Sequence, residues 1–300
     1  MKRLEQMIDM ARKLSGNTSY GPGSGITQDV FVQYFNNAQD SLSKEVINLK
    51  TKFLKKFVNV PVVSGQERYD YPYDCYMQHI DTIQPINQNG SIMGTPLTKS
   101  YTKEKLSNRT GFPYGYILQN DGWYLNPPIN NGVLQVTYSK FVPRLQKKNG
   151  QITTATVVAG TLTALTVSTA GAYDSDEINL DYFLCVVDKH GVQKARNIEY
   201  SSQAAGVFTL NPQAIGEGQS INVGDFIVIG KNTTNQPEWP DVCESYLIKH
   251  AVYDAKYTDA STWSDEAKKD MTDFFISLSG SFATLSDDIS EIPITNFDYL

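Results

Sequence analysis

The feature that most constrains the fold is the placement of helical periodicity, which marks both ends of the chain and is lost in the middle. From Thr27 onward, apolar residues recur every three or four positions, and this spacing predicts one long amphipathic helix. Its apolar positions are Phe31, Tyr34, Ala38, Leu42, Val46, Leu49, Phe53 and Phe57. Towards the other end, Pro237 opens a helix that continues to Tyr257, and Ser264 caps a second one. These complementary apolar stripes predict that residues 26–58 and 236–283 pack together as one helical bundle.

A shorter helix is predicted at the start of the chain. Leu4, Met7, Ile8 and Leu14 fall at helical spacing, so residues 2–14 form an amphipathic helix. A helix this short rarely persists alone in water, so it must dock on its own body or on a neighbouring subunit. The glycine-rich strap that follows lacks the strand and the Lys-Ser/Thr pair of a phosphate-binding loop. Residues 1–25 are therefore interpreted as an N-terminal arm on a flexible linker.

The sequence between the predicted helices favours β-strands. A Thr/Val-rich run extends from Ile152 to Thr169, and Asp188-Lys189-His190-Gly191 is the turn signature of a hairpin. Many short strands with glycine turns favour an inserted antiparallel β-domain over residues 145–235, either a small barrel or a sandwich. Residues 59–144 are expected to form strands and loops near the bundle, and residues 284–300 a C-terminal arm. The predicted fold class is α+β.

Charge and cysteine content exclude several classes of function. The net charge of −6 and the pI near 5.1 argue against a protein that grips nucleic acid through its phosphates. Cys75, Cys185 and Cys243 are far apart and form no CxxC pair, so neither a disulfide framework nor a zinc site is indicated. No stretch approaches the roughly 18–20 apolar residues that cross a bilayer, and the N-terminus lacks a signal-peptide core, so we expect no membrane association.

The sequence offers few groups for catalysis. His79, His190 and His250 occur in unrelated contexts, and no zinc-protease motif, nucleophile elbow or phosphate-binding motif is present. The acidic stretch 174–181 resembles a calcium loop only loosely, because the glycine and terminal glutamate spacing is absent. A solvated loop and a metal site both stay open there, and a hydrolase using this loop is the weakest alternative. We expect no enzymatic activity and no cofactor.

Three tyrosines at alternate positions, Tyr69, Tyr71 and Tyr73, predict a strand with one aromatic face. This face could serve as a ligand platform, or it could pack on neighbouring structure. The long helix immediately upstream supplies a nearby apolar surface, so these tyrosines are interpreted as scaffold that seats the first strand against that helix.

Three stretches together resemble the head-to-tail connector, or adaptor, proteins of tailed bacteriophages, especially the ring proteins of short-tailed and crAss-like phages. The first is the Asn-x-Ala-Gln-Asp register of Asn36 to Asp40, and the second is Gly65 to Asp74, with its Tyr-x-Tyr-Pro-x-Asp pattern. The third is the closing helix from Pro237 to Tyr257. The chain departs from the minimal adaptor pattern in its Thr/Val-rich β region.

The resemblance implies a virion protein of the phage neck, made in the bacterial host cytoplasm. Its helical bundle would assemble side by side into a closed ring, commonly twelvefold, below the portal and coaxial with the DNA channel. The expected partners are other copies of this chain, the portal protein and the next tail or ring component, while DNA passes through without specific binding. A weak repulsion between an acidic wall and DNA agrees with that role.

Both terminal arms are predicted to bind neighbouring molecules. The C-terminal segment alternates acidic residues with apolar ones that are too few to form a core, although a free disordered tail remains the alternative. The predicted partner-binding residues are Leu4, Met7, Ile8 and Leu14 in the first arm and Ile292, Ile294, Phe297 and Tyr299 in the second. The rival function is a carbohydrate- or receptor-binding module of a phage tail, in which the helices only present the β-domain.

Overall fold

The computed structural model describes residues 2–16, 26–49, 53–72, 74–87, 89–100, 115–126, 132–158, 161–168, 183–204, 206–214, 221–257 and 263–288. The helices of this part of the chain are α1 (Leu4–Ser15), α2 (Gln28–Asn48), a short 3₁₀-helix (Asp241–Cys243), α3 (Glu244–Tyr257) and α4 (Asp265–Asp288). The described residues are therefore a mixture of helices and strands, and the helices lie towards both ends of the chain.

The strands between α2 and α3 are β1 (Lys55–Val62), β2 (Arg68–Tyr69), β3 (Cys75–Ile86), β4 (Thr98–Ser100), β5 (Gly115–Gln119), β6 (Gly122–Asn126), β7 (Gly132–Lys140), β8 (Arg144–Leu145), β9 (Gly150–Val158), β10 (Thr161–Val167), β11 (Phe183–Val187), β12 (Gln193–Ala204), β13 (Val207–Ala214), β14 (Phe226–Ile229) and β15 (Thr233–Thr234). Most neighbouring strands are antiparallel, as predicted. The short pairs β4–β5 and β8–β15 are parallel.

Helix boundaries follow local sequence signals at two ends. Gly16 ends α1 in the left-handed conformation, with φ of 80°, which glycine adopts without steric cost. At the start of α4, the Ser264 hydroxyl accepts a hydrogen bond from the N–H of Ala267 at 3.2 Å, so the predicted cap is confirmed.

The prediction that α2 continues to Phe57 is wrong. The helix ends at Asn48, and Lys55–Val62 forms β1, which pairs along its whole length with β7. From Val58 onward, valines occupy every second position, and this β-branched, period-two pattern favours a strand over a helix. Phe57 continued the helical spacing by coincidence, and it lies half-exposed on β1.

The chain divides into two compact units. Unit 1 comprises Met1–Lys44 and Val142–Leu300, and unit 2 comprises Glu45–Phe141. The first and last parts of the chain therefore belong to the same unit. The division into five segments made from the sequence remains a prediction.

In unit 1, β9 to β14 close into a six-stranded barrel in the order β10-β13-β12-β11-β14-β9. Side chains from every strand fill its interior, and Leu165, Leu184, Phe208 and Ile227 are fully buried there. The predicted small barrel is confirmed, and it is closed rather than a two-sheet sandwich. Closure leaves no free strand edge in this part of the unit.

The predicted hairpin turn joins β11 to β12. The Asp188 carboxylate accepts hydrogen bonds from the N–H groups of His190, at 2.7 Å, and Val192, at 2.9 Å. Gly191 adopts φ of 88°, in the left-handed region that glycine tolerates. These backbone N–H groups lower the pKa of Asp188 against the opposing effect of its burial.

Helix contacts within unit 1 join the beginning of the chain to its end. Helix α1 packs against α3, and Lys2 forms an ion pair with Glu244 at the first turn of α3. Helix α3 in turn contacts α4, where the Tyr253 hydroxyl donates to Asp270 at 2.6 Å. The arrangement of all these helices with α2 as a single bundle remains a prediction.

Unit 2 contains two sheets. One has three strands in the order β1-β7-β3, and the other has four in the order β2-β6-β5-β4. Their buried side chains form one apolar cluster, in which Ile83, Trp123, Leu134 and Val136 have no exposed surface.

Candidate interaction surfaces

Two polar side chains of α2 hold the segment that precedes the barrel. Asn36 donates from Nδ2 to the carbonyl of Leu145 at 3.0 Å and accepts from the N–H of Leu145 at 2.7 Å. Gln39 donates to the carbonyl of Pro143 at 3.3 Å. Asn36 and Gln39 are only 8% and 3% exposed. We call this arrangement of Asn36, Gln39 and residues 143–145 the α2 clamp.

The clamp explains one of the sequence patterns. Gln39 and Asp40 follow Asn36 by three and four residues, so both lie next to Asn36 on one side of α2. Asp40 lies 3.5 Å from Arg144, and because both side chains are more than half exposed this ion pair contributes little to stability. The residues of the Asn-x-Ala-Gln-Asp pattern therefore form hydrogen bonds within the chain, and they do not form a ligand site.

Three of the four predicted contact residues in the first arm are inside the chain's own unit. Leu4, Met7 and Ile8 are at most 1% exposed, and the N–H of Leu4 donates to the carbonyl of Asn235 at 3.0 Å. The Asn235 side chain then donates to Glu5 at 2.8 Å. A side chain buried this completely has no surface to offer a second molecule.

Of the other predicted contact residues, one is exposed and the rest lie outside the described residues. Leu14 is 60% exposed, so it alone of the four in the first arm presents apolar surface. The second arm, with Ile292, Ile294, Phe297 and Tyr299, lies outside the described residues, as does the acidic stretch 174–181.

The tyrosine stretch packs differently from the prediction. Only Arg68 and Tyr69 form a strand, β2, and Pro72, which has no N–H to give to a ladder, follows three residues after Tyr69. The Tyr69 ring stacks on Trp123 with centroids 4.6 Å apart, and the Trp123 indole donates to the carbonyl of Asp70 at 3.1 Å. Tyr69 therefore is scaffold, but its partner is β6 and not the long helix. Tyr73 lies outside the described residues.

A surface cavity of about 390 Å³ in unit 2 is lined by His79, Asp81, Ser139 and Lys55 among other residues. His79 Nδ1 lies 3.2 Å from the Ser139 hydroxyl and 3.8 Å from Asp81. In a nucleophilic triad the serine and the carboxylate engage opposite ring nitrogens, whereas here both face the same one. Asp81 is instead paired with Lys55 at 2.8 Å, so the group is an ion-pair network and not a relay.

Other reactive groups are closed off in the interior. All three cysteines are free and buried, and burial raises the pKa of Cys75 and of Cys243 to about 12, so both thiols stay protonated at neutral pH. His250 and Asp254 lie 3.3 Å apart on α3, where the Trp263 indole donates to Asp254 at 3.0 Å. These groups have no access to a substrate.

Among the described residues, no three His, Cys, Asp or Glu side chains converge as a metal site would require. No helix in the same part of the chain is long and apolar enough to span a membrane.

The model of the SU10 adaptor protein family matches residues 3–181, which is more than half of the chain. The chain belongs to the SU10 adaptor protein family. This match confirms the resemblance to phage head-to-tail adaptor proteins. No curated protein sequence matches the chain.

The region matched to the SU10 adaptor family includes α1, α2, unit 2 and the first two barrel strands. All residues of the α2 clamp and the Gly65–Asp74 stretch fall inside it. The third stretch of the resemblance, Pro237 to Tyr257, lies outside the match.

The sequence pattern does not show what Asn36 and Gln39 bind. Both residues lie outside the apolar stripe that predicts α2, so helical spacing assigns them to its polar face, whereas the structure buries them. Their partners on residues 143–145 are more than a hundred positions away in the chain, so the sequence could not name them.

Proposed function

We propose that this chain is a structural virion protein that forms a closed oligomeric ring and joins the phage portal to the tail around the DNA channel. The observation that carries the proposal is its membership of the SU10 adaptor protein family. The partners in this proposal are further copies of the chain, the portal protein and the next tail or ring component. A twelvefold ring is the stoichiometry that the resemblance suggests.

The electrostatics of the chain support this role. With a net charge of −6, the protein has no overall attraction for phosphates, so DNA would pass through a ring of such subunits without being held. Among the described residues, the three cysteines and His250 are buried, and His79 lies beside Ser139 and Asp81 in an ion-pair network. A structural role without enzymatic activity agrees with both features.

In this proposal, the chain contacts other virion components through surfaces that it leaves exposed. Leu14, at the exposed end of α1, is one such position. The C-terminal residues Ile292, Ile294, Phe297 and Tyr299 are proposed as the other. A segment that orders only on meeting its partner makes assembly sequential, because its ordering entropy is paid at that step.

The rival function, a carbohydrate- or receptor-binding module, finds less support in the barrel. Sugar-binding surfaces use exposed aromatic rings, whereas Tyr200 and Phe208 are buried. Lys231 and Lys148 lie over the rings of Phe183 and Phe226, at 4.9 Å and 4.6 Å from their centroids. The four aromatic rings of the described barrel strands are therefore either buried or partly buried beside a lysine.

Electron microscopy of the purified chain, alone and mixed with the portal of its own particle, tests the proposal. Annular particles, or extra density bound to the portal, are the expected result. Particles of single-chain size in both samples would contradict the ring and would favour the binding-module function.

A further inference from the structure

The outer wall of the barrel that is formed by β12, β13, β10 and β9 has an unusual composition. Strand register aligns residues of these four strands in two rows that face away from the interior. We call these two rows the threonine face. One row is Ser202, Thr209, Ala164 and Thr156, and the other is Ala204, Val207, Thr166 and Thr154.

The threonine face is open to solvent and carries no charge. Six of its eight residues are exposed, and Ala164 and Thr166 are partly exposed. The row between the two contains Phe208 and Leu165, which are fully buried in the barrel. No charged residue occurs from Asn149 to Tyr173 or from Tyr200 to Gly216, although 19% of the whole chain is charged.

The opposite wall of the barrel is apolar, and its outward side chains are buried. Cys185, Val187 and Val228 alternate with the interior residues of β11 and β14, so they point outward, and yet none of them is exposed. Other parts of the chain therefore cover this wall, and β15 contacts both of its strands. The barrel presents the threonine face on a different side, where the described residues leave it uncovered.

The chemistry of the threonine face excludes two kinds of partner. DNA and other polyanions require cations, and the face has none. Glycan recognition relies on aromatic rings, and the face has none of these either. What remains is a curved barrel wall of methyl and hydroxyl groups, which suits close packing against another protein surface.

We propose that the threonine face is a contact surface for a second copy of this chain. Each copy carries a net charge of −6, so like-charge repulsion opposes association. That repulsion is smallest where one copy contributes no charge to the contact. This inference rests on the proposed ring, in which every subunit presents two different faces to its two neighbours. The threonine face is one of the two.

The size of the face sets what it can contribute. Four strands about 4.8 Å apart span roughly 15–20 Å, whereas a stable interface buries about 800 Å² on each partner. The face therefore forms part of the contact, and a charge placed on it should weaken assembly rather than alter the fold.

Two valines in the barrel provide a matched test. Val207 lies in the threonine face and is 38% exposed, and Val192 lies after the turn between β11 and β12 and is 53% exposed. Val207→Glu and Val192→Glu add the same charge to similarly accessible positions. Thr209→Glu is a second variant within the face, in case Val207→Glu fails to fold.

The measurement is the oligomer mass distribution of the full chain over a dilution series, with circular dichroism melting of each variant. Val207→Glu and Thr209→Glu are expected to raise the dissociation constant of the oligomer at least about tenfold, equivalent to about 1.4 kcal/mol, while melting like the parent. Val192→Glu is expected to assemble like the parent.

The possible failures are distinguishable. Folded Val207→Glu and Thr209→Glu proteins that assemble as tightly as the parent would overturn the threonine face as a self-contact while leaving the ring intact. The same result with a loss of portal binding would assign the face to the portal instead. A parent chain that stays monomeric at every concentration, both alone and mixed with the portal, would contradict the ring and this contact together.

Discussion

The α2 clamp gives the sharpest quantitative prediction about the fold. Replacing Asn36 with alanine removes both hydrogen bonds to the backbone of Leu145, a residue that is only 1% exposed. The neighbouring N–H groups of Arg144 and Gln146 donate to the carbonyls of Asn232, just before β15, and Thr234 in β15. The two backbone groups of Leu145 therefore face α2 and depend on Asn36.

The magnitude follows from the burial of these groups. Each buried N–H or C=O left without a partner costs about 1–3 kcal/mol, so two cost about 2–6 kcal/mol. Alanine is a better helix former than asparagine by up to about 0.7 kcal/mol, which offsets a small part. We expect Asn36→Ala to lower the free energy of unfolding of unit 1 by about 2–5 kcal/mol. For a domain of roughly 150–250 residues, even the lower value lowers Tm by about 4 °C.

The adjacent residue provides the control. Asn37 is only partly buried and its side chain forms no hydrogen bond to the described residues, so Asn37→Ala makes the same chemical change outside the clamp. We expect it to change stability by less than about 0.5 kcal/mol. The two variants are compared by urea unfolding, monitored through the circular dichroism signal of the helices. Equal midpoints for Asn36→Ala and Asn37→Ala would refute the clamp as a stabilising contact.

Three further predictions concern the termini and one titrating group. Ile8→Ala should lower the free energy of unfolding by about 2–5 kcal/mol because it opens a cavity. Leu14→Ala should lower it by less than about 0.5 kcal/mol because Leu14 is exposed. Equal losses for the two variants would mean that α1 is not docked as described. The pKa of Tyr253, raised from 10.0 to about 12 by burial and by its bond to Asp270, implies stability that is present below pH 10 and lost as the pH rises to about 12. Unfolding free energies measured over this pH range should fall more steeply for the parent than for Tyr253→Phe, and parallel curves would count against the shift. Deleting residues 289–300 should leave melting unchanged and abolish oligomer formation; a lower Tm would show instead that this segment belongs to the core.

The sequence predicts the elements with strong local signals. Helix α1, the Ser264 cap, the Asp188 turn and the barrel strands all depend on contacts or backbone preferences within a few residues. Period and turn chemistry are therefore enough to find them.

The sequence predictions are wrong where contacts with residues distant in the chain determine the structure. Phe57 fits the helical stripe of α2, yet pairing with β7, some eighty positions away, makes its segment a strand. Tyr69 was expected on the nearest helix, but Trp123 offers a flat aromatic surface in the adjacent strand β6. The apolar stripe of α1 predicted docking correctly but could not distinguish its own unit from a neighbouring subunit. Periodicity shows which face is apolar, and only the fold shows what covers it.

The measurement that tests the central claim most directly is an averaged cryo-electron-microscopy map of the neck of the phage particle that contains this chain. The account predicts ring-shaped density between the portal and the tail, around the DNA, into which repeated copies of unit 1 and unit 2 fit. If the density at that position fits another protein and this chain is found in the outer fibres, its role as the adaptor between portal and tail is contradicted.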